Sequence, residues 1–131
     1  NKTHYNEMKV LSMHALIGAY QPQGYEWVDE LNQVLAGNID YFCDYVDEHF
    51  EGVSYSRPQG TYMVFLDCTE WCREHGRDIQ WLLDEGARVG VGYQDGRPFH
   101  GPCHIRVNLA LPLSRVREAC DRLDRYVFNA R

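Results

Sequence analysis

Apolar residues recur at spacings of three and four from Val28 through Leu31, Leu35, Ile39, Phe42 and Val46 to Phe50. That period marks one face of an amphipathic helix. The phase runs unbroken past Gly37 and Asn38, so the pattern predicts a single long helix over about 25–51, ended by Gly52. A shorter helix is predicted before it, from about Tyr5 to Tyr20. There Met8, Leu11, Ala15 and Ala19 share a face, while Val10, Met13 and Ile17 fall outside it. A helix that is apolar around most of its circumference needs burial on several sides. The rest of so short a chain does not supply all those partners, which points to further protein against it. Between the two helices "QPQG" (21–24) reads as a break, with Gly24 at the helix boundary.

Downstream the period changes. After a turn at Pro58 and Gly60, Thr61–Asp67 reads as a strand with Tyr62, Val64 and Leu66 on one face and Met63 and Phe65 on the other. A strand apolar on both faces is expected at the centre of a sheet, covered on both sides. A short helix follows over about 69–75. Another opens at the N-cap Asp78, packs through Ile79, Leu82 and Leu83, and is expected to stop at Gly86. "RVGVG" (88–92) reads as a short strand and "YQDGRPFHGP" as a loop. In "CHIRVNLALP" (103–112), Cys103, Ile105, Val107 and Leu109 alternate onto one side and His104, Arg106 and Asn108 onto the other. A last helix, capped by Ser114, packs through Val116, Ala119, Cys120, Leu123 and Val127. The succession predicts an α+β unit: a small, mainly antiparallel sheet with helices packed on one face, preceded by two helices, the second long.

Composition narrows the functions open to this fold. The chain has 131 residues, 44% apolar and 24% charged, enough for one domain with a real core. A net charge of −6, with only Lys2 and Lys9 among thirteen basic residues, argues against a nucleic-acid backbone binder. No apolar run reaches the roughly 20 residues that span a bilayer. With no signal segment in view, the cytosol is the expected compartment and no membrane partner is expected. Five cysteines without a C-x-x-C pair read as free thiols packed as small hydrophobes. A zinc site built on His100, Cys103 and His104 is a weaker alternative, so no metal ligand is assigned.

Other candidate chemistry falls away. "GVGYQDG" lacks the G-x-G-x-x-G spacing and the following helix of a pyrophosphate cradle. No serine sits in a nucleophile elbow. Asp44, Asp47, Glu48 and Glu51 read as the solvated side of the long helix, and His14, His49 and His75 as isolated surface or packing residues. Arg106 stands apart. A guanidinium matches a carboxylate with two parallel hydrogen bonds, and a strand holds it more rigidly than a loop would. Buried without a partner it would cost several kcal/mol. It is therefore expected to face either water or a cleft whose anion arrives with a ligand.

"GTYMVFLD" (60–67), "LLDEG" (82–86) and "FHGPCHIRVNLALPLSRVREACDRL" (99–123) occur in that order. They resemble the C-terminal part of class I/II aminotransferase-family pyridoxal-phosphate enzymes. The opening "LSMHALIGAYQPQGYEWVDELNQVLAGNIDY" (11–41) is similar to the segment preceding the small domain in the cystathionine β-lyase-like branch. The most specific element is Arg106, Asn108 and Ala110 in the Arg-x-Asn-x-Ala pattern, followed by Pro112. The resemblance implies that Arg106 binds the α-carboxylate of an amino-acid substrate. It also implies a homodimeric parent enzyme using pyridoxal 5′-phosphate. The family's Schiff-base lysine, its aspartate for the pyridine nitrogen and its phosphate-binding residues belong to a large domain that this chain is expected to lack. No catalytic or cofactor-binding residue is therefore assigned, and Lys2 reads as an ordinary surface residue despite "NKTHYN". Cys103 and His104 take no role by transfer, and Phe99-His100-Gly101 departs from the family's Phe-Gly.

The expected organisation is a single small domain over 1–131. About 1–22 form a connecting helix that packs on the large domain, about 25–51 the long helix, and about 53–131 the α+β body. The expected function is the substrate-carboxylate part of an aminotransferase or C–S β-lyase, inactive alone. The alternative is a stand-alone, non-catalytic interaction module.

Overall fold

The computed structural model describes residues 9–130. The chain divides into two compact units, Asn1–Val34 and Leu35–Arg131. In the first, helix α1 covers Val10–Ala19. The start of the predicted first helix, from Tyr5 to Met8, lies outside the described residues, as does Lys2 before it. No residue of α1 is buried, and Val10, Leu11, Ile17, Tyr20 and Trp27 are each more than half exposed. Helix α2 (Pro22–His49) begins earlier than the periodicity predicted. Proline suits a first turn, where its missing N–H has no intrahelical acceptor. Gly24 is therefore not a boundary but part of that turn. A Cβ there would sit 1.9 Å from the Ala19 carbonyl oxygen, so only glycine admits this approach.

The second unit takes up α2 and continues with β1 (Ser54–Tyr55), β2 (Met63–Asp67), α3 (Thr69–His75), α4 (Ile79–Arg88), β3 (Gln94–Asp95), β4 (His104–Asn108) and α5 (Leu113–Leu123). A 3₁₀ turn spans Arg97–Phe99 and a π-helical turn Asp124–Phe128. The sheet order is β1-β2-β4-β3, with every neighbouring pair antiparallel. Val64 and Leu66 share a face with Ile105 and Val107. They pack with Phe42 and Val46 of α2, Trp71 of α3, Leu82 of α4, and Val116 and Leu123 of α5. Each such buried side chain contributes roughly 1.5–3 kcal/mol. The predicted α+β architecture, with helices on one face of a small antiparallel sheet, is the one observed.

Four details differ from the sequence reading. β2 lies at the centre of the sheet, but only its Val64–Leu66 face is buried; Met63, Phe65 and Asp67 are half-buried on the other. "RVGVG" is not a strand. The Gly90 N–H bonds the Ala87 carbonyl and the Val91 N–H the Gly86 carbonyl (2.8 Å), so these groups finish α4, and pairing with β4 begins only at Gln94. Gly86 does not stop α4; it lies buried inside it, where a Cβ would strike the Tyr93 ring at 2.5 Å. Ser114 is not the cap of α5. Pro112 holds that position, its carbonyl accepting from the Arg115 N–H, and no side chain caps the helix. The two-residue strand β1 was not anticipated.

Candidate functional site

Alternation along β4 sends Ile105 and Val107 into the core and presents His104, Arg106 and Asn108 on the face away from the helices. The antiparallel register sets Arg106 opposite Phe65 on β2 and Gln94 on β3. Its Nη1 donates to the Gln94 side-chain oxygen at 3.1 Å. Its guanidinium carbon lies 4.6 Å from the centre of the Phe99 ring, a cation–π contact. Among the described residues no carboxylate forms an ion pair with it. Thr61, Met63, Phe65 and Phe99 join Arg106 around an open depression of about 300 Å³. The charge is thus steered by a neutral amide and an aromatic face, with no acid among the described residues neutralising it.

Phe99 reaches Arg106 because the loop before β4 is tightly built. Arg97 donates through Nε to both carboxylate oxygens of Asp95 (3.0 and 2.8 Å), and its N–H bonds the same carboxylate. The loop presses onto His104: a Cβ on Gly101 would meet the Phe65 ring at 2.5 Å and His104 at 2.6 Å. The imidazole lies tilted against the Phe65 ring, with ring centres 4.7 Å apart, and its Nε2 lies 3.8 Å from an Asp67 oxygen. Its Nδ1 is buried without a partner.

Burial would raise the Asp67 carboxyl, but the Thr69 hydroxyl and N–H, donating at 2.5 and 2.9 Å, together with nearby His104, hold it below the usual carboxylate range. Asp67 thereby braces the start of α3. Asp67→Ala is expected to cost about 1 kcal/mol, the worth of a helix-start bond. A lowered folded-state pKa means that this stability is present above the unfolded-state value of about 4 and lost as pH falls through the folded one. Urea melts of wild type and variant should therefore differ at pH 7 and converge in acid. Equal separation at both pH values would remove the carboxylate from this role.

A more enclosed cavity, about 370 Å³, lies elsewhere. Phe42, Val91, Val107, Leu109 and Val116 line it on the helix side of β4, with Arg115, Glu118 and Arg122 among its lining. Arg115 and Arg122 are both paired to Glu118. Its greater volume does not make it the better anion site, because both of its arginines already share a carboxylate, whereas Arg106 has no ion-pair partner among the described residues.

Of the sequence candidates, Arg106 occupies the predicted polar face. Asn108 turns back on the chain, its side-chain oxygen accepting from the Ala110 N–H at 2.8 Å. Cys103 and His104 project to opposite faces of the strand, and no group of three metal-ligating side chains occurs among the described residues. Gln94, Phe99 and the Asp67–His104 pair were missed. Their contacts follow from strand register and loop closure, which no local motif announces.

Comparison with known proteins places this geometry in context. The profile of the family described as "Aminotransferase class I and II" matches residues 8–123. A Mycobacterium leprae (strain TN) protein named "Putative cystathionine beta-lyase" is 35% identical over 124 residues, covering 82% of this chain and 30% of that protein. The PLP-bound C-S lyase from Staphylococcus hominis superposes with a TM-score of 0.81 at 22% identity, over 92% of this chain and 32% of its own. A "PLP-bound putative aminotransferase" from Clostridium difficile 630 gives a TM-score of 0.79 at 26% identity, over 88% and 30%. The chain spans about 30% of the length of the curated relatives it matches.

Proposed function

The chain belongs to the class I and II aminotransferase family, and from that premise we propose that it is the substrate-carboxylate-binding part of a longer pyridoxal 5′-phosphate-dependent aminotransferase or C–S β-lyase. The observation that carries this reading is Arg106: a rigid mid-strand guanidinium, aligned by Gln94 and Phe99, with no acid of the described chain spending its charge.

The residues around Arg106 do not fit the cofactor itself. They offer a guanidinium, an amide and aromatic rings, but no amine. Of the two lysines, Lys2 lies outside the described residues and Lys9 precedes α1 in the other unit. The cofactor, held by other parts of the longer protein, would supply the electron sink. This chain's contribution is orientation. Arg106 receives the α-carboxylate of an amino acid through two parallel hydrogen bonds, and Gln94 and Phe99 keep the fork from rotating. Fixing one end of the substrate in this way removes much of the entropy cost of the reaction. The exposed apolar residues of α1 and of the start of α2 would be covered by the large domain in a homodimeric parent, with the unit from about 53 onward as the α+β body.

Expressed in full, the longer protein is expected to bind pyridoxal phosphate and to transaminate amino acids or cleave their C–S bonds. The 131-residue chain alone is expected to do neither. A borohydride-stable adduct at Lys2 or Lys9 of the isolated chain, together with turnover, would overturn this reading.

The exposed apolar side chains of the first unit also favour a second reading, a stand-alone module that docks a partner. The upstream reading frame separates the two. Several hundred further codons bearing a lysine-containing cofactor domain support the enzyme, and a start codon next to Asn1 supports the module.

A further inference from the structure

The face of the sheet that carries Arg106 bears on the rest of a bound amino acid as well. Register places Phe65 directly opposite Arg106 and Met63 opposite Asn108. Opposed residues share a face, so Met63 is the diagonal neighbour of Arg106, at a separation that long side chains span. With Thr61 and Phe99 they wall the depression of about 300 Å³ beside the guanidinium. Thr61 brings a hydroxyl, whose oxygen accepts from the Met63 N–H at 3.3 Å. The rest of the wall is a thioether and two aromatic rings.

The other basic groups on this side are already engaged. The Arg97 guanidinium is held by the Asp95 carboxylate at 2.7 Å. His104, the next residue on this face of β4, turns its Nε2 toward Asp67, and its ring lies against Phe65. Of these three groups only Arg106 has no acidic partner among the described residues. Once an α-carboxylate occupies it, a second carboxylate on the same substrate would meet no free cation here. A positively charged side chain would lie beside a guanidinium. An apolar side chain would leave water for the surfaces of Met63, Phe65 and Phe99, which is favourable in proportion to the area covered.

On the reading that Arg106 takes the α-carboxylate, we propose that the longer protein prefers α-amino acids with uncharged, apolar side chains, and that Met63 sets this preference. Phe65 is held between His104 and Gly101 and serves as a fixed wall. Met63 is half-buried at the open end of β2, and its unbranched thioether adapts to side chains of differing shape.

The test measures kcat/KM of the longer protein on alanine, leucine and glutamate. Wild type should favour leucine over alanine, and leucine over glutamate, by about 10-fold or more, the scale on which apolar pockets discriminate. Met63→Ala should lower the leucine-to-alanine ratio by about 10-fold, and Met63→Leu should hold it within about threefold of wild type. Met63→Arg places a second cation diagonal to Arg106 and should raise the glutamate-to-leucine ratio by about 10-fold or more. Circular dichroism checks that each variant is folded; the alanine and leucine variants decide the matter if the arginine one is not. A wild type that prefers glutamate or treats the three alike, or a leucine-to-alanine ratio that Met63→Ala leaves unchanged, would overturn the proposal. In each of those cases the reading of Arg106 survives if Arg106→Lys still lowers kcat/KM for all three amino acids. If Arg106→Lys lowers none of them, that reading fails and the preference argued from it fails too.

Discussion

Replacing Asn38 with leucine is expected to destabilise the second unit by about 2–4 kcal/mol, although the two side chains are similar in volume. Asn38 is 1% exposed on the core side of α2, and its amide donates to the carbonyls of Leu109 and Leu111, both at 2.8 Å. Those carbonyls belong to the stretch leaving β4, where the Leu109 N–H still bonds the Tyr62 carbonyl (2.9 Å) and the Ala110 N–H donates to the Asn108 side-chain oxygen. Leucine would leave two acceptors unpaired, at least one of them deeply buried, and desolvating such a group without a partner costs roughly 1–3 kcal/mol. Asn38→Asp should be as damaging or more so, because a carboxylate would face two carbonyl oxygens. The measurement is the urea midpoint, with exposed Asn32→Leu on the same helix as control, expected within about 0.5 kcal/mol of wild type. Coincident midpoints for Asn38→Leu and wild type would show that the clamp contributes nothing.

Asn38 also illustrates how the sequence can be read correctly and yet incompletely. The three-and-four spacing passes over it, and Ile39, Phe42, Val46 and Phe50 do pack on the face that the pattern assigned to one helix. A polar residue in phase with that face was itself the signal: it is affordable there only if something distant uses both of its donors. The partners lie more than seventy residues away, beyond any local pattern. β4 was legible because alternation is a local property and its polar face carried one conspicuous cation. β3 was misplaced because Val89 and Val91 alternate like a strand, while their backbone groups were already taken by the end of α4. The second face of β2 looked like core because Met63 and Phe65 are apolar. The structure gives them a different use, as walls of the depression beside Arg106. Its remaining neighbours, Gln94 and Phe99, come from an edge strand and a 3₁₀ turn whose positions depend on packing against His104.

In the longer protein, Arg106→Lys is expected to lower kcat/KM for amino acids by about 10²-fold and Arg106→Gln by about 10³-fold, equivalent to roughly 3–4 kcal/mol of lost transition-state binding. Lysine retains the charge but offers a point donor in place of the planar fork, so the paired hydrogen bonds to a carboxylate cannot be reproduced. Glutamine loses the charge as well. Folding should be little affected, because the native Arg106 has only an amide and a ring to lose and no acid is left unpaired. Phe99→Ala should fall between wild type and Arg106→Lys, since the guanidinium stays but turns more freely. The decisive control is an amine substrate with the same side chain and no α-carboxylate. Wild type and Arg106→Lys should process it at similar, low efficiency, because the group that distinguishes them is gone. If Arg106→Lys instead stays within about threefold of wild type on amino acids, or loses the amine substrate equally, the guanidinium is not the carboxylate's partner, and the polar face of β4 serves some other end.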